Sequence, residues 1–479
     1  MLGALGLVVH LLAQVRPAAQ PAPEAGALQV GKPPPAPIPD VPAPSATVAA
    51  AATEEKAPPG QVPVTPPRGP VLSLAAAESQ ALSRQAQIAQ AMAQTDAASA
   101  RADEEFAQFL PQVNANGSYA RQTLNRVQNA VNPTGASQSA SFKTYGNWNF
   151  GINAQQTVWD FGQNYGQYKA AKANAEAQRL SEETVRQSVL FGVRSAYVQA
   201  WASRALVDVA KDNMTNQERH LQQVQGQVNV GTRPEIDLAQ VKADRANAEL
   251  QLINQENAYE TAKAQLNLAM GVEASTDYDV TTDRIGELPE EQMAEEHVAA
   301  LGIAQRPEMK SLGKQLEASE RSVSAVRGAY GPTLGVSSGF TEGGPDLTGM
   351  VWNFNAQAQL TWQIFQGGIT KARVHEALAN QSATHYQQVI ERQQVRFDVV
   401  QARLAVRAAK AGLDTAKEVE RNAREQLRLA EARYQAGAGS IIELQDAQVA
   451  ATTASGQVVQ ADFNLSLARA QLLKAIGRR

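Results

Sequence analysis

The sequence predicts a mainly α-helical fold with transmembrane β-strands, built by duplicating one helix–strand–strand–helix–helix unit. Three observations predict it: an internal repeat, long proline-free segments of helical periodicity, and short stretches of strict alternation. The repeat comes first because self-similarity decides how everything else is parsed. Shifting Asn153–Gly271 by 206 positions lays it without a gap on Gln359–Gly477. Trp159 then meets Phe365, Gly162 meets Gly368, Phe191 Phe397, Val193 Val399, Leu221 Leu427, Gly231 Gly437, Leu266 Leu472, and Met270-Gly271 meets Ile476-Gly477. A feature in both copies reads as architecture, and a feature in one copy is a candidate for special work.

Composition narrows the class. Only 5% of the 479 residues are aromatic and Ala and Gln recur throughout, which favours long, closely packed helices over thick globular cores. Cysteine is absent, so disulfides, thiolate metal sites, cysteine nucleophiles and acylation of an N-terminal cysteine are excluded. A net charge of −4, with Lys and Arg scattered among Glu, Gln and Ala, argues against nucleic acid as a partner. No run of 18 apolar residues exists, so no helical membrane span is expected.

Residues 1–19 read as an export signal around the apolar stretch Leu2–Ala13, although no Lys or Arg precedes it; an apolar leader is the alternative. Residues 20–70 read as an extended linker, since 16 of the 23 prolines fall between Pro17 and Pro70. The first structural repeat is assigned to 71–289, with a β-hairpin at 112–160, and the second to 290–479, with a hairpin at 333–366.

Each repeat opens with a helix, expected over Leu74–Phe109 and Glu308–Ala329 and ended by Leu110-Pro111 and Gly331-Pro332. After the strands, Asn164–Val228 contains no proline and carries Val185, Val189, Val193, Ala196 and Ala200 at helical spacing. About 65 residues at ~1.5 Å each make a helix on the order of 100 Å long. A tight turn and a second helix follow.

The strands show a period of two. Trp352, Phe354, Ala356, Ala358, Leu360 and Trp362 alternate with Asn353, Asn355, Gln357, Gln359, Thr361 and Gln363. In the first copy Trp148, Phe150, Ile152 and Ala154 alternate with Asn and Gln. A soluble sandwich gives the same alternation. An uncharged, amide-rich polar face, with Trp148, Trp159, Trp352 and Trp362 toward the segment ends as interface aromatics, favours a membrane barrel. Four strands cannot close such a barrel, so several chains must pool theirs, and three would supply twelve. The first hairpin also holds an insertion near Gln122–Ser141, rich in Asn, Gln, Ser and Thr, which reads as an extracellular loop.

From Val71 onward the chain resembles the TolC-like outer-membrane efflux channels. The resemblance rests on Leu110-Pro111-Gln112-Val113, Arg306-Pro307-Glu308, Phe365-Gln366-Gly367-Gly368 and Arg433-Tyr434-Gln435-Ala436-Gly437, in this order and combined with the duplication. It implies a homotrimer in outer-membrane lipid, with a shared twelve-stranded β-barrel and a long helical tunnel through the periplasm. It further implies the exit duct of a tripartite efflux pump or type I secretion system, with a periplasmic adaptor and an inner-membrane transporter as partners and no enzymatic activity. A periplasmic coiled-coil scaffold is the alternative; it accounts for the helices but not for the amphipathic strands.

By the same resemblance the two helix–helix turns are periplasmic tips, with Val230, Gly231, Thr232, Ala436, Gly437 and Ala438 as adaptor contacts. Glu443 and Asp446 correspond to acidic residues ringing the aperture, and Asp237 and Tyr434 to a network that holds it shut. Without the resemblance, the glycines and the acidic residues are explained as a helix stop and a dipole complement. Where well-known members carry an arginine two residues after the second glycine, this chain has Gly439, and Arg233 holds that place in the first turn. The closing ion pair is therefore expected to be rewired or missing.

Other chemistry is not visible. His10, His220, His297, His375 and His385 lack metal-ligand spacing and read as polar surface residues, and neither cofactor nor metal is expected. Glu290, Glu291, Glu295 and Glu296 read as a helix start within a solvated charge run.

Overall fold

The computed structural model of the chain describes residues 70–127 and 140–478. The signal and linker expected over residues 1–70 lie outside these, except for Pro70. The chain enters through a two-residue strand β1 (Val71–Leu72), helices α1 (Leu74–Arg84) and α2 (Ala86–Ala107), strands β2 (Gln112–Val127) and β3 (Ala140–Trp159), and helices α3 (Gln163–Asn229) and α4 (Glu235–Met270). A linking segment carries β4 (Asp279–Val280) and a single 3-10 turn at Pro289–Glu291. The second copy follows as α5 (Glu295–Gln305), α6 (Pro307–Gly328), β5 (Thr333–Gly344), β6 (Val351–Thr361), α7 (Ile369–Gln435) and α8 (Ile441–Ala475).

The fold is mainly helical and repeats its helix–strand pattern. Helices α3 and α7 are both 67 residues long, and their ends are related by the same 206-residue offset. At ~1.5 Å per residue each spans on the order of 100 Å. Equivalent side chains build equivalent cores: Val193, Leu266 and Met270 in one copy, Val399, Leu472 and Ile476 in the other, none more than 2% exposed. The first core has an added bolt. The Tyr197 hydroxyl lies 3.1 Å from the carbonyls of Leu72 and Thr281, tying α3 to the parallel β1–β4 pair.

Helices α3 and α6 approach closely along a small-residue stripe of Gly166, Ala170, Ala173 and Ala177, spaced at three or four residues. A Cβ on Gly166 would lie 2.7 Å from the Cβ of Ala325, so only glycine permits the contact. Ser311 adds a bond to the Ala177 carbonyl at 2.9 Å.

The first helix differs from the expected Leu74–Phe109. It breaks at Gln85, whose backbone is extended (φ −66°, ψ 118°). The cause is distant in sequence: Gln85 donates to the carbonyls of Leu268 and Ala269, and Gly271 packs so tightly that a Cβ there would come within 2.8 Å of Gln85 Cα. The acidic run also differs. Glu290 is buried and the Glu291 side chain is only 6% exposed, and they pair with Arg478 and Arg469 to clamp the linking segment onto α8 and the C-terminal residues that follow it. These two are structural anchors, not solvated charges. Arg306 is similarly buried between α5 and α6 and reaches Asp398 on α7 at 2.8 Å.

The strands form one antiparallel sheet in the order β2-β3-β5-β6. The second hairpin has strands of 12 and 11 residues, but β2 and β3 run to 16 and 20. They keep pairing as far as Val127–Ala140, so the two ends of the segment expected to loop, Gln122–Ser141, are paired strand. The remainder, residues 128–139, lies outside the described residues.

Candidate aperture at the helical turns and a membrane-type sheet

Each turn between long helices is built around a glycine with left-handed backbone, Gly231 (φ +75°) and Gly437 (φ +74°). No atom crowds either position, so glycine is required by conformation, not by space. The flanking hydrogen bonds repeat as well: Thr232 N donates to Gln227 O at 3.0 Å and Ala438 N to Arg433 O at 2.9 Å, the closure that ends a helix at a left-handed residue. Asp237 and Glu443 occupy the first turn of the next helix, where a carboxylate complements the helix dipole.

The two turns diverge in how those carboxylates are held. Arg233 reaches Asp237 at 3.4 Å within the first turn, while its guanidinium sits 4.3 Å from the ring of Tyr434, which arrives from α7. In the second turn Arg433 reaches Glu443 at 2.7 Å. Each turn thus carries an ion pair of its own, and neither involves position 439. Gly439 fits this arrangement: its N–H donates to Arg433 O at 3.0 Å, and a Cβ there would meet Arg433 Cβ at 3.2 Å. An arginine at 439 would compete for the space from which Arg433 serves Glu443.

Three of the five residues selected from sequence, Arg233, Asp237 and Tyr434, come together. Glu443 and Asp446 stand apart from them, and only Glu443 is paired; Asp446 is exposed and makes no ion pair among the described residues. Val230 and Ile236 beside the first turn, and Ile442 beside the second, are exposed apolar side chains. The helical hairpins α3–α4 and α7–α8 are also joined by Gln445 of α8, which donates to Asp244 of α4. Burial raises the pKa of the Tyr434 hydroxyl, with nearby Asp237 adding to the effect and Arg233 opposing it.

Sequence reasoning missed two residues. Arg433 was passed over because its partner lies across the turn, ten positions on. His220, read as a surface residue, is buried with its ring 5.4 Å from that of Tyr434. The signal available in sequence was that copy two has Gln426 at the equivalent place.

The sheet sorts its side chains into rows. On one face Val113, Ala154, Ser338 and Ala356 stand in register, and above them Ala115, Ile152, Phe340 and Phe354. On the other face Gln112, Gln155, Ser337 and Gln357 form one row, and Asn114, Asn153, Gly339 and Asn355 the next. Gly339 leaves room for its neighbours: a Cβ there would lie 2.6 and 2.7 Å from the Oδ1 atoms of Asn153 and Asn355, which would have to turn aside. Trp148 and Trp352 lie near one end of the four-stranded part, while Trp159 and Trp362 mark the other. Trp148 is mid-strand, because β3 continues beyond β5, and Trp362 follows the end of β6. Ten positions at ~3.3 Å, tilted by ~40°, separate Trp352 from Trp362 by ~25 Å, the height of a membrane barrel's apolar band. Among the described residues no helix is long and apolar enough to cross a membrane, and no cluster of His, Asp and Glu suits a metal ion.

Comparison with known proteins agrees with this geometry. The family model for outer membrane efflux proteins matches residues 77–272 and 300–478. The pyoverdine export outer membrane protein OpmQ of Pseudomonas aeruginosa is 25% identical over 411 residues, covering 83% of each chain. Among solved structures, a Pseudomonas aeruginosa membrane protein superposes with a TM-score of 0.74 at 19% identity, over 85% of this chain and 90% of that one. The Campylobacter jejuni CmeC outer membrane channel gives 0.72 at 18% identity, over 84% and 85%. The chain belongs to the outer membrane efflux protein family and is an efflux channel of the bacterial outer membrane, not an enzyme.

Proposed function

We propose that three copies of the chain pool their sheets into a twelve-stranded barrel and their helices into a periplasmic tunnel. The tunnel serves as the passive exit duct of a tripartite pump for small molecules or peptides. The observation that carries this reading is the sheet itself. Among the described residues its edge strands β2 and β6 each have an unpaired outer side, and a sheet in hydrocarbon cannot leave backbone donors and acceptors open. Every residue of β6 is exposed in the single chain, on both faces. Pairing β6 of one copy with β2 of the next removes both edges at once.

The helical turns then lie at the periplasmic end. Val230, Gly231, Thr232, Ala436, Gly437 and Ala438 are the contacts for a periplasmic adaptor, through which an inner-membrane transporter energises export. The Arg233–Asp237–Tyr434 cluster holds the aperture closed, and the acidic residues of the second turn set its preference for cations. Light scattering of the detergent-purified protein tests the assembly. The protein part of the particle is expected to weigh three times the mature chain, and a monomer or a dimer would refute the shared barrel.

A further inference from the structure

The duplication is broken where the two hairpins meet. By the 206-residue offset, His220 corresponds to Gln426, Val228 to Tyr434, and Arg233 to Gly439. The three side chains that each occur in one copy only, His220, Arg233 and Tyr434, converge on one point. The His220 ring lies 5.4 Å from that of Tyr434, the Arg233 guanidinium 4.3 Å from the same ring, and both rings are more than nine-tenths buried. His220 Nε2 and Tyr434 Oη each lack a hydrogen-bond partner among the described residues. Tyr434 is therefore held by its ring contacts and not by its hydroxyl.

We propose that His220 is a positioning residue for the closed aperture: as a neutral imidazole it wedges Tyr434 beneath the Arg233 guanidinium, and charging it releases that contact and opens the channel. This rests on the reading of the turns as the constriction.

The surroundings give the direction. Burial holds the His220 pKa below the ordinary histidine value. The Gln223 carboxamide on α3 and the Asp244 carboxylate on α4 favour the cation, and Arg233 opposes it. Helix α7 presents the uncharged Tyr434, and α8 presents Gln445, which donates to Asp244. Asp244 also accepts from Gln240, so its charge is partly committed elsewhere. A second cation would then crowd the same Tyr434 ring as Arg233. Because the pKa is depressed in the closed form, the contact is fully present above about pH 6.5 and is lost as the pH falls through the buried value.

The test is single-channel conductance in potassium chloride across a planar bilayer, between pH 7.5 and 5.5. For the wild type, the open probability is expected to rise severalfold as the pH falls and the buried imidazole takes up a proton, since the closed form binds that proton less well than the open form. His220→Gln, the residue of the other copy, is expected to flatten the profile, and His220→Lys to stay open throughout. Arg233→Ala, expected to raise conductance at pH 7.5, checks the constriction separately. If Arg233→Ala opens the channel while the wild type is flat, or while His220→Gln keeps the wild-type rise, the His220 inference is overturned and the constriction stands. If Arg233→Ala changes nothing, both fall. Should His220→Gln fail to insert, the wild-type profile and His220→Lys decide between the same outcomes.

Discussion

Arg233 carries two contacts at once, an ion pair with Asp237 and a cation–π contact with Tyr434. The second alone is worth about 0.5–2 kcal/mol, enough to hold a closed state several-fold in excess. Arg233→Ala is accordingly expected to increase leak through the isolated channel, measured as basal conductance; unchanged leak would remove Arg233 from the closing network. The acids of the second turn divide differently. Glu443 is compensated by Arg433, an exposed pair contributing at most about 1 kcal/mol of stability but cancelling local charge, whereas Asp446 makes no ion pair among the described residues. Asp446→Ala is expected to lower cation selectivity more than Glu443→Ala, and reversal potentials in a salt gradient show which. At this scale, legibility followed sequence distance. Asp237 and Glu443 were visible as acids just after a glycine. The burial of His220 was not, since Tyr434, which covers it, lies over two hundred positions away in the other repeat.

Helices and strands were more legible, because their causes are mostly local. The proline-free, periodic segments became the two 67-residue helices, and the stops at Pro111 and Pro332 precede strands that start within a residue. The break at Gln85 escaped notice because Gly271, nearly two hundred positions on, imposes it. The continuation of β2 and β3 to Val127 and Ala140 escaped because its composition is that of a loop; pairing, not propensity, extends those strands. Since the two cores are equivalent, Leu266→Ala and Leu472→Ala are expected to cost similar amounts, about 2–5 kcal/mol each, in denaturant melts. A cost confined to one of them would mean that the duplication does not extend to how the cores bear load. Gly166→Leu should separate α3 from α6, because its side chain would occupy the position of Ala325.

For the whole molecule, the two faces of the sheet should answer to different solvents. Ala356 stands on the apolar face about midway between the tryptophan layers, and Asn355 beside it on the amide face. Ala356→Lys would place a charge at mid-membrane depth, costing about 2–4 kcal/mol and lowering the yield of inserted protein. Asn355→Lys should insert normally and shift the pore toward anions. Equal damage from both would argue that neither face lines water.

We propose that a duct crossing the outer membrane is pinched at the turns between its long helices. Single-channel conductance of the detergent-purified protein, wild type against the Arg233→Ala, Asp446→Ala double variant, decides it. Small, cation-selective wild-type currents that become larger and less selective in the variant are the predicted result. Protein that stays soluble without detergent and carries no current, or a variant indistinguishable from wild type, would contradict it.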